Sequence, residues 1–250
     1  MMDNEHSIGV DERVRGVLAG VTDACERAGR DPARVRLLPV SKTHPIEAVR
    51  QVNGALERQA GHVPHRLFGE NHVQEIVAKT DELRPDDDFG FALIGHLQSN
   101  KVNAVAGLID EFQALDSLKL AGRLDRRLNT LGRGLRVLVE VNTSGEAAKH
   151  GIDVDDAQDF CRALADFDAL TVAGLMTVAV NSPDRERAAA CFDRLVALQS
   201  RLRDDGVLGS DWAELSMGMS GDYPLAIEHG TTTVRVGTAL FGPRDYGTPA

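Results

Sequence analysis

Eight short apolar runs rich in branched residues alternate along this chain with longer stretches whose apolar residues recur at three and four. That alternation is the pattern of a parallel sheet crossed by helices, and it limits the fold more than any other feature. The candidate strands are RVRLLPVS (34–41), RLFGEN (66–71), FALIG (91–95), EFQALDS (111–117), RVLVEVNTS (136–144), LTVAGLMTV (170–178), AELSMGM (213–219) and TTVRVGTALFG (232–242). Helices are expected at about 9–29, at 45–59 behind a proline that suits a first turn, and at 185–205. No linker or low-complexity stretch divides the 250 residues. The expectation is therefore one α/β domain spanning 1–250, a TIM (β/α)8 barrel in which 1–30 form an N-terminal extension and helix. An open doubly wound sheet is the alternative, but the glycine-rich dinucleotide fingerprint after its first strand is missing.

Charge and cysteine usage narrow the function. The formal net charge is −10, from 38 acidic against 28 basic residues, and no long basic block occurs, which argues against nucleic acid or an anionic membrane as partner. Cys25, Cys161 and Cys191 lie far apart without a CxxC spacing, so neither a disulfide framework nor a zinc knuckle is expected. The N-terminus has no apolar signal core, and no run approaches the roughly 18 apolar residues of a membrane span. These features read as a cytoplasmic protein acting on a small molecule. A closed barrel has no free sheet edge, so a monomer is expected.

In a TIM barrel the chemistry sits at the C-terminal ends of the strands. Lys42 ends the first strand, and alternation places it on the same face as Val40, at the barrel mouth. It is either a solvated surface lysine or a partly buried amine suited to form a Schiff base with an aldehyde. The small-residue segments after the seventh and eighth strands offer the backbone of Gly221, Gly237 and Thr238 and the hydroxyls of Ser216, Ser220 and Thr238 as an anion cradle; otherwise these glycines only make tight turns. An amine facing a phosphate cradle describes pyridoxal 5'-phosphate (PLP) well. Arg235 alternates with Val234 and Val236, so it points into the barrel. Its partner is either a carboxylate, for which Glu70 or Glu140 would serve, or a pyridine nitrogen that a permanent cation keeps unprotonated.

PVSKTHP (39–45), FGENHVQE (68–75), IGHLQSNK (94–101), GLMTV (174–178), the long segment 215–242 and RDY (244–246) occur in order. Together they resemble the pyridoxal phosphate homeostasis protein family, over about 35–246. The resemblance implies a fold-type III barrel like the N-terminal domain of alanine racemase, with PLP as cofactor. It implies Lys42 as the Schiff-base lysine, Arg235 at the pyridine nitrogen, and Ser216 or Ser220 with Gly237 and Thr238 at the phosphate. Asn71 and Asn142 could reach the ring or make local turn bonds. Met176 packs beside the ring or is a plain core residue. Lys101 is a second anion contact or a solvated charge, and His72 and His96 are more simply hydrogen-bonded than catalytic.

The function implied is intracellular PLP homeostasis without substantial catalysis, with PLP-dependent apo-enzymes as partners for delivery. Racemases of the alanine racemase type bring a tyrosine from a second domain, whereas this chain stops at Ala250 with Tyr223 and Tyr246 as its only tyrosines. A PLP-dependent racemase and a Schiff-base aldolase on sugar phosphates remain the alternatives.

Overall fold

The computed structural model describes residues 9–146, 148–182, 184–207 and 212–243. Residues 1–8 of the expected N-terminal extension, and the RDY motif with Tyr246, lie outside the described residues. The eight expected strands are all present: β1 (Arg36–Pro39), β2 (Arg66–Glu70), β3 (Phe89–Leu93), β4 (Glu111–Leu115), β5 (Leu135–Asn142), β6 (Leu170–Met176), β7 (Glu214–Met219) and β8 (Thr233–Val236). All pair in parallel in the order β1-β8-β7-β6-β5-β4-β3-β2. A parallel bridge between Val40 and Gly69 joins β1 to β2 and closes the ring, which excludes the open doubly wound sheet. A two-residue strand, Ile152–Asp153, extends the end of β5 and has no signal in the sequence pattern.

The expected helices are present at Val10–Arg27, Ile46–Ala60 and Arg185–Asp204. The N-terminal helix packs on Ile46–Ala60 and on the short helices Tyr223–Glu228 and Thr238–Phe241, whereas Arg185–Asp204 lies against β6 and β7. Elsewhere in the core the Phe68, Phe89 and Phe91 rings meet edge to face. The Tyr223 hydroxyl lies close against the N-terminal helix at Gly20, which has no side chain to displace it. Among the described residues no helix is long and apolar enough to cross a membrane.

The expected strand at 232–242 needs correction. It ends at Val236, and after Gly237 the chain makes a single helical turn, Thr238–Phe241. The apolar run continues past the strand because that turn buries Leu240 and Phe241, the latter against Phe68.

The inside of the barrel is not uniformly apolar. Arg235 donates to Ser216 Oγ (2.6 Å), Ser216 to Gln113 Oε1 (2.7 Å), and Gln113 to Glu111 Oε1 (2.6 Å). Glu111 is gripped at two oxygens by Arg36 (2.9 and 2.8 Å), and Arg136 joins it to Glu214. This polar column crosses the barrel from the strands' C-terminal half to their N-terminal ends. Burial works against the charge on Glu111, but its bonds to Arg36 and Gln113 and the charge of Arg136 hold its carboxyl below the usual range.

Candidate functional site

The C-terminal mouth of the barrel encloses a cavity of about 390 Å³. Lys42 enters it from the end of β1, Asn71 from the end of β2 and Arg235 from β8. Ser220, after β7, and Gly237 and Thr238, after β8, form the rim. Six of the eight site residues expected from the sequence thus line one cavity. Met176 and Ser216 do not. Both are buried, and they pair with each other in register across β6 and β7, a layer below the rim. Ser216 is occupied there as the link between Arg235 and Gln113.

Arg235 is 4% exposed. Its guanidinium is fixed by Ser216 Oγ and by the Thr177 carbonyl (2.9 Å). Burial lowers its pKa to about 10, opposed by the charges of Glu140 and Asp222, so it stays a cation at neutral pH. Of the two carboxylates considered as its partner, Glu140 faces it through space on the inner surface, whereas Glu70 turns the other way. A Cβ on Gly69 would meet Leu38 and Val40 inside the barrel, so the next residue, Glu70, points outward, where it pairs with Lys79.

The rim is shaped by a turn. Gly218 takes a φ of 90°, and a Cβ there would lie 2.5 Å from the Ala226 Cβ, so no other residue fits. Beyond it Asp222 Oδ1 accepts from the Met219 N–H (2.6 Å), and Ser220 Oγ accepts from the Gly237 N–H (3.2 Å), tying the two segments together. The helical turn that follows begins its own hydrogen bonds at the Leu240 N–H, leaving those of Thr238 and Ala239 outside them.

The two asparagines named in the sequence part company. Asn142 Oδ1 accepts from the Ser144 N–H (3.2 Å) and Oγ (2.8 Å), and its amide donates to the Glu146 carbonyl (3.0 Å), so it is taken up by a turn. The Asn71 side chain has no hydrogen bond among the described residues and lines the cavity. His72, His96 and Lys101 line a neighbouring depression instead. His96 stacks on His150 with ring centroids 4.4 Å apart. Tyr223 sits against the N-terminal helix rather than in the cavity lining.

Two features escaped the sequence reading. His44, inside the quoted PVSKTHP motif, lines the cavity and stacks on Phe241 at 5.0 Å. Lys79 is buried behind Lys42, and its signal was present: Val73, Ile76 and Lys79 recur every three residues on the buried face of the helix Val73–Asp81.

An amine, a fixed guanidinium, an uncommitted amide and a rim of hydroxyl and N–H groups can together hold a small anion bearing a carbonyl. Residues 24–245 match the family model "Alanine racemase, N-terminal domain". A pyridoxal phosphate homeostasis protein of Pseudomonas aeruginosa is 42% identical over 241 residues, covering 96% of this chain and 97% of that protein. The chain belongs to the pyridoxal phosphate homeostasis protein family. A solved structure similar to this member of the family is PipY of Synechococcus elongatus PCC7942, with PLP bound; it is 33% identical, has a TM-score of 0.78 and is covered over 100% of its chain and 94% of this one. Alanine racemase of Clostridium difficile 630 has a TM-score of 0.70 at 15% identity, with 91% of this chain and 56% of that one covered, a likeness of fold alone.

Proposed function

We propose that this protein binds PLP in the barrel-mouth cavity and serves its homeostasis, holding it covalently as a Schiff base on Lys42. The observation that carries the reading is the convergence of Lys42, Arg235, Asn71 and the Ser220–Gly237–Thr238 rim on one cavity of about 390 Å³, within the size range of small-molecule sites. PipY, solved with PLP bound, supports it. When bound, PLP supplies an aldehyde and a ring that draws electrons.

Each residue then has a task. Lys42 provides the amine. The rim hydroxyls and N–H groups take the phosphate, and the Asn71 amide is placed for a polar group on the ring. Arg235 stands at the pyridine nitrogen, where a permanent cation disfavours protonation and weakens the ring's electron-drawing power. Ser216, below the cavity, orients Arg235 instead of touching phosphate. Racemisation needs a proton-carrying group on each face of a substrate carbon. Among the described residues the lining offers Lys42 and His44, the latter with its ring stacked on Phe241, and little turnover is the outcome we expect. Apo-enzymes that require PLP are the expected recipients, and the protein acts as a monomer.

Titration of the purified protein with PLP, followed by absorption, tests the reading. A visible band that saturates at one equivalent, with no D-alanine formed from L-alanine above a Lys42→Ala control, is the expected result. Absence of any band would overturn it, and D-alanine formation dependent on Lys42 would favour the racemase.

A further inference from the structure

The end of β1 has two faces. Lys42 points into the cavity and Ser41, one residue earlier, points out through the barrel wall, where it is fully buried. Ser41 Oγ donates to Glu70 Oε1 (2.5 Å). The buried ammonium of Lys79 pairs with that same carboxylate, donates to the Ser41 carbonyl (2.9 Å) and lies 3.6 Å from Glu75 Oε2. Glu75 Oε2 in turn accepts from the Thr43 N–H (2.6 Å). Thr43 has a φ of 66°, a left-handed backbone that a β-branched residue rarely adopts and that persists only where the surroundings enforce it.

We propose that Lys79, with Glu70 and Glu75, is a clamp on the peptide either side of Lys42 that aims the Lys42 side chain into the cavity. The Ser41 carbonyl and the Thr43 amide flank the Lys42 Cα. Holding both fixes the direction of its Cα–Cβ bond, so less conformational freedom is lost when the amine meets an aldehyde. A pair that merely neutralised Glu70 would have no use for the bond from Glu75 to Thr43. Ser41 and Glu70 are fully buried and Lys79 nearly so, and that burial pushes the Glu70 carboxyl up to about 7 although Lys79 and Ser41 act to lower it. Lys79 and its two carboxylates are positioning residues, and their role rests on the proposed attachment of PLP at Lys42.

The test begins with Glu75→Ala, because Glu75 keeps about 25% of its side chain exposed and its loss leaves the core intact. In the cofactor-free variant the Thr43 amide exchanges hydrogen at least about tenfold faster, as expected for a lost tertiary bond. Attachment of PLP at Lys42, followed by its visible band, slows about tenfold, the size of one lost hydrogen bond to a charged group. Binding of pyridoxine 5'-phosphate, which carries an alcohol in place of the aldehyde, stays unchanged, because the rim and Arg235 are untouched. Glu75→Gln, which keeps an oxygen acceptor, restores the attachment rate, and Lys79→Met shows the same split between the two ligands. Faster amide exchange with an unaltered attachment rate overturns the clamp. Equal weakening toward both ligands also overturns it, as the mark of a purely structural role. If the unmodified protein gives no visible band, the functional reading fails, and the clamp has no amine to aim.

Discussion

Lys42 and Lys79 stand on opposite sides of the same stretch of barrel wall, one facing a cavity and the other buried in a cluster of polar groups. Lys42 lines a cavity whose lining, among the described residues, contains no carboxylate. Lys79 is sealed outside the wall, 5% exposed, between Glu70, Glu75 and the Ser41 carbonyl. Ion pairs with two carboxylates and a bond to a backbone carbonyl hold its amine there, on the far side of the wall from the cavity. The lesson is that side-chain identity names the candidates, and the side of the barrel wall on which each lies separates them.

The largest expected effect breaks that contrast outright. Lys42→Ala abolishes the covalent PLP band altogether, whereas Lys79→Met keeps it at saturation; a band surviving in Lys42→Ala would remove the distinction. Next in size, Lys79→Met removes the partner of a carboxyl that is 0% exposed, one of whose oxygens, Oε2, has no hydrogen bond among the described residues. Because Glu70, already lifted to about 7, takes up a proton once Lys79 is gone, denaturant unfolding should show a loss of about 1–3 kcal/mol, and Glu70→Leu combined with Lys79→Met should recover most of it. A single variant as stable as the parent would mean that the buried pair contributes nothing.

The two raised carboxyls sharpen the comparison through pH. Burial lifts Glu70 to about 7, and burial with repulsion from Asp116 lifts Glu140 to about 7 against the pull of Arg235. Between the ordinary value of 4.5 and about 7 the folded chain therefore binds protons that the unfolded chain has released. Stability falls as pH rises through that window and levels off above it. Glu111, held below the usual range, acts in the opposite sense and loses its contribution only at lower pH. Denaturation midpoints from pH 5 to pH 8 measure the slope, and Glu140→Gln should flatten part of it. The smallest effect is expected at Thr43. Glycine suits φ 66° but loses more entropy on folding, so Thr43→Gly should change stability by no more than about 1 kcal/mol.

Much of the fold could be read from the sequence because strand and helix periods differ and the strands here are short and apolar. What could not be read was where an apolar run changes structure: TALFG continues the hydrophobic pattern of β8, but after Gly237 it forms a helical turn that buries Leu240 and Phe241. Of the candidate site, the strand ends were legible: Lys42, Asn71 and Arg235 line one cavity, as their positions in the pattern imply. Ser216 and Ser220 are both serines in one segment, and only the register of β7 against β6 and β8 puts the first below the cavity and the second on its rim. Asn71 and Asn142 look alike in sequence, yet the Ser144–Glu146 turn takes up one and leaves the other. The bonds behind Lys42 join residues 41–43 to Glu70, Glu75 and Lys79, 29 to 38 residues further along the chain, a pairing that no local pattern announces.

The central claim is that Lys42, and no other lysine, holds PLP. Borohydride reduction of the PLP-loaded protein followed by peptide mass mapping tests it most directly. The account predicts a single fixed pyridoxyl group on the peptide containing Lys42. A label on Lys79 or Lys101, or no fixed label at all, would contradict it.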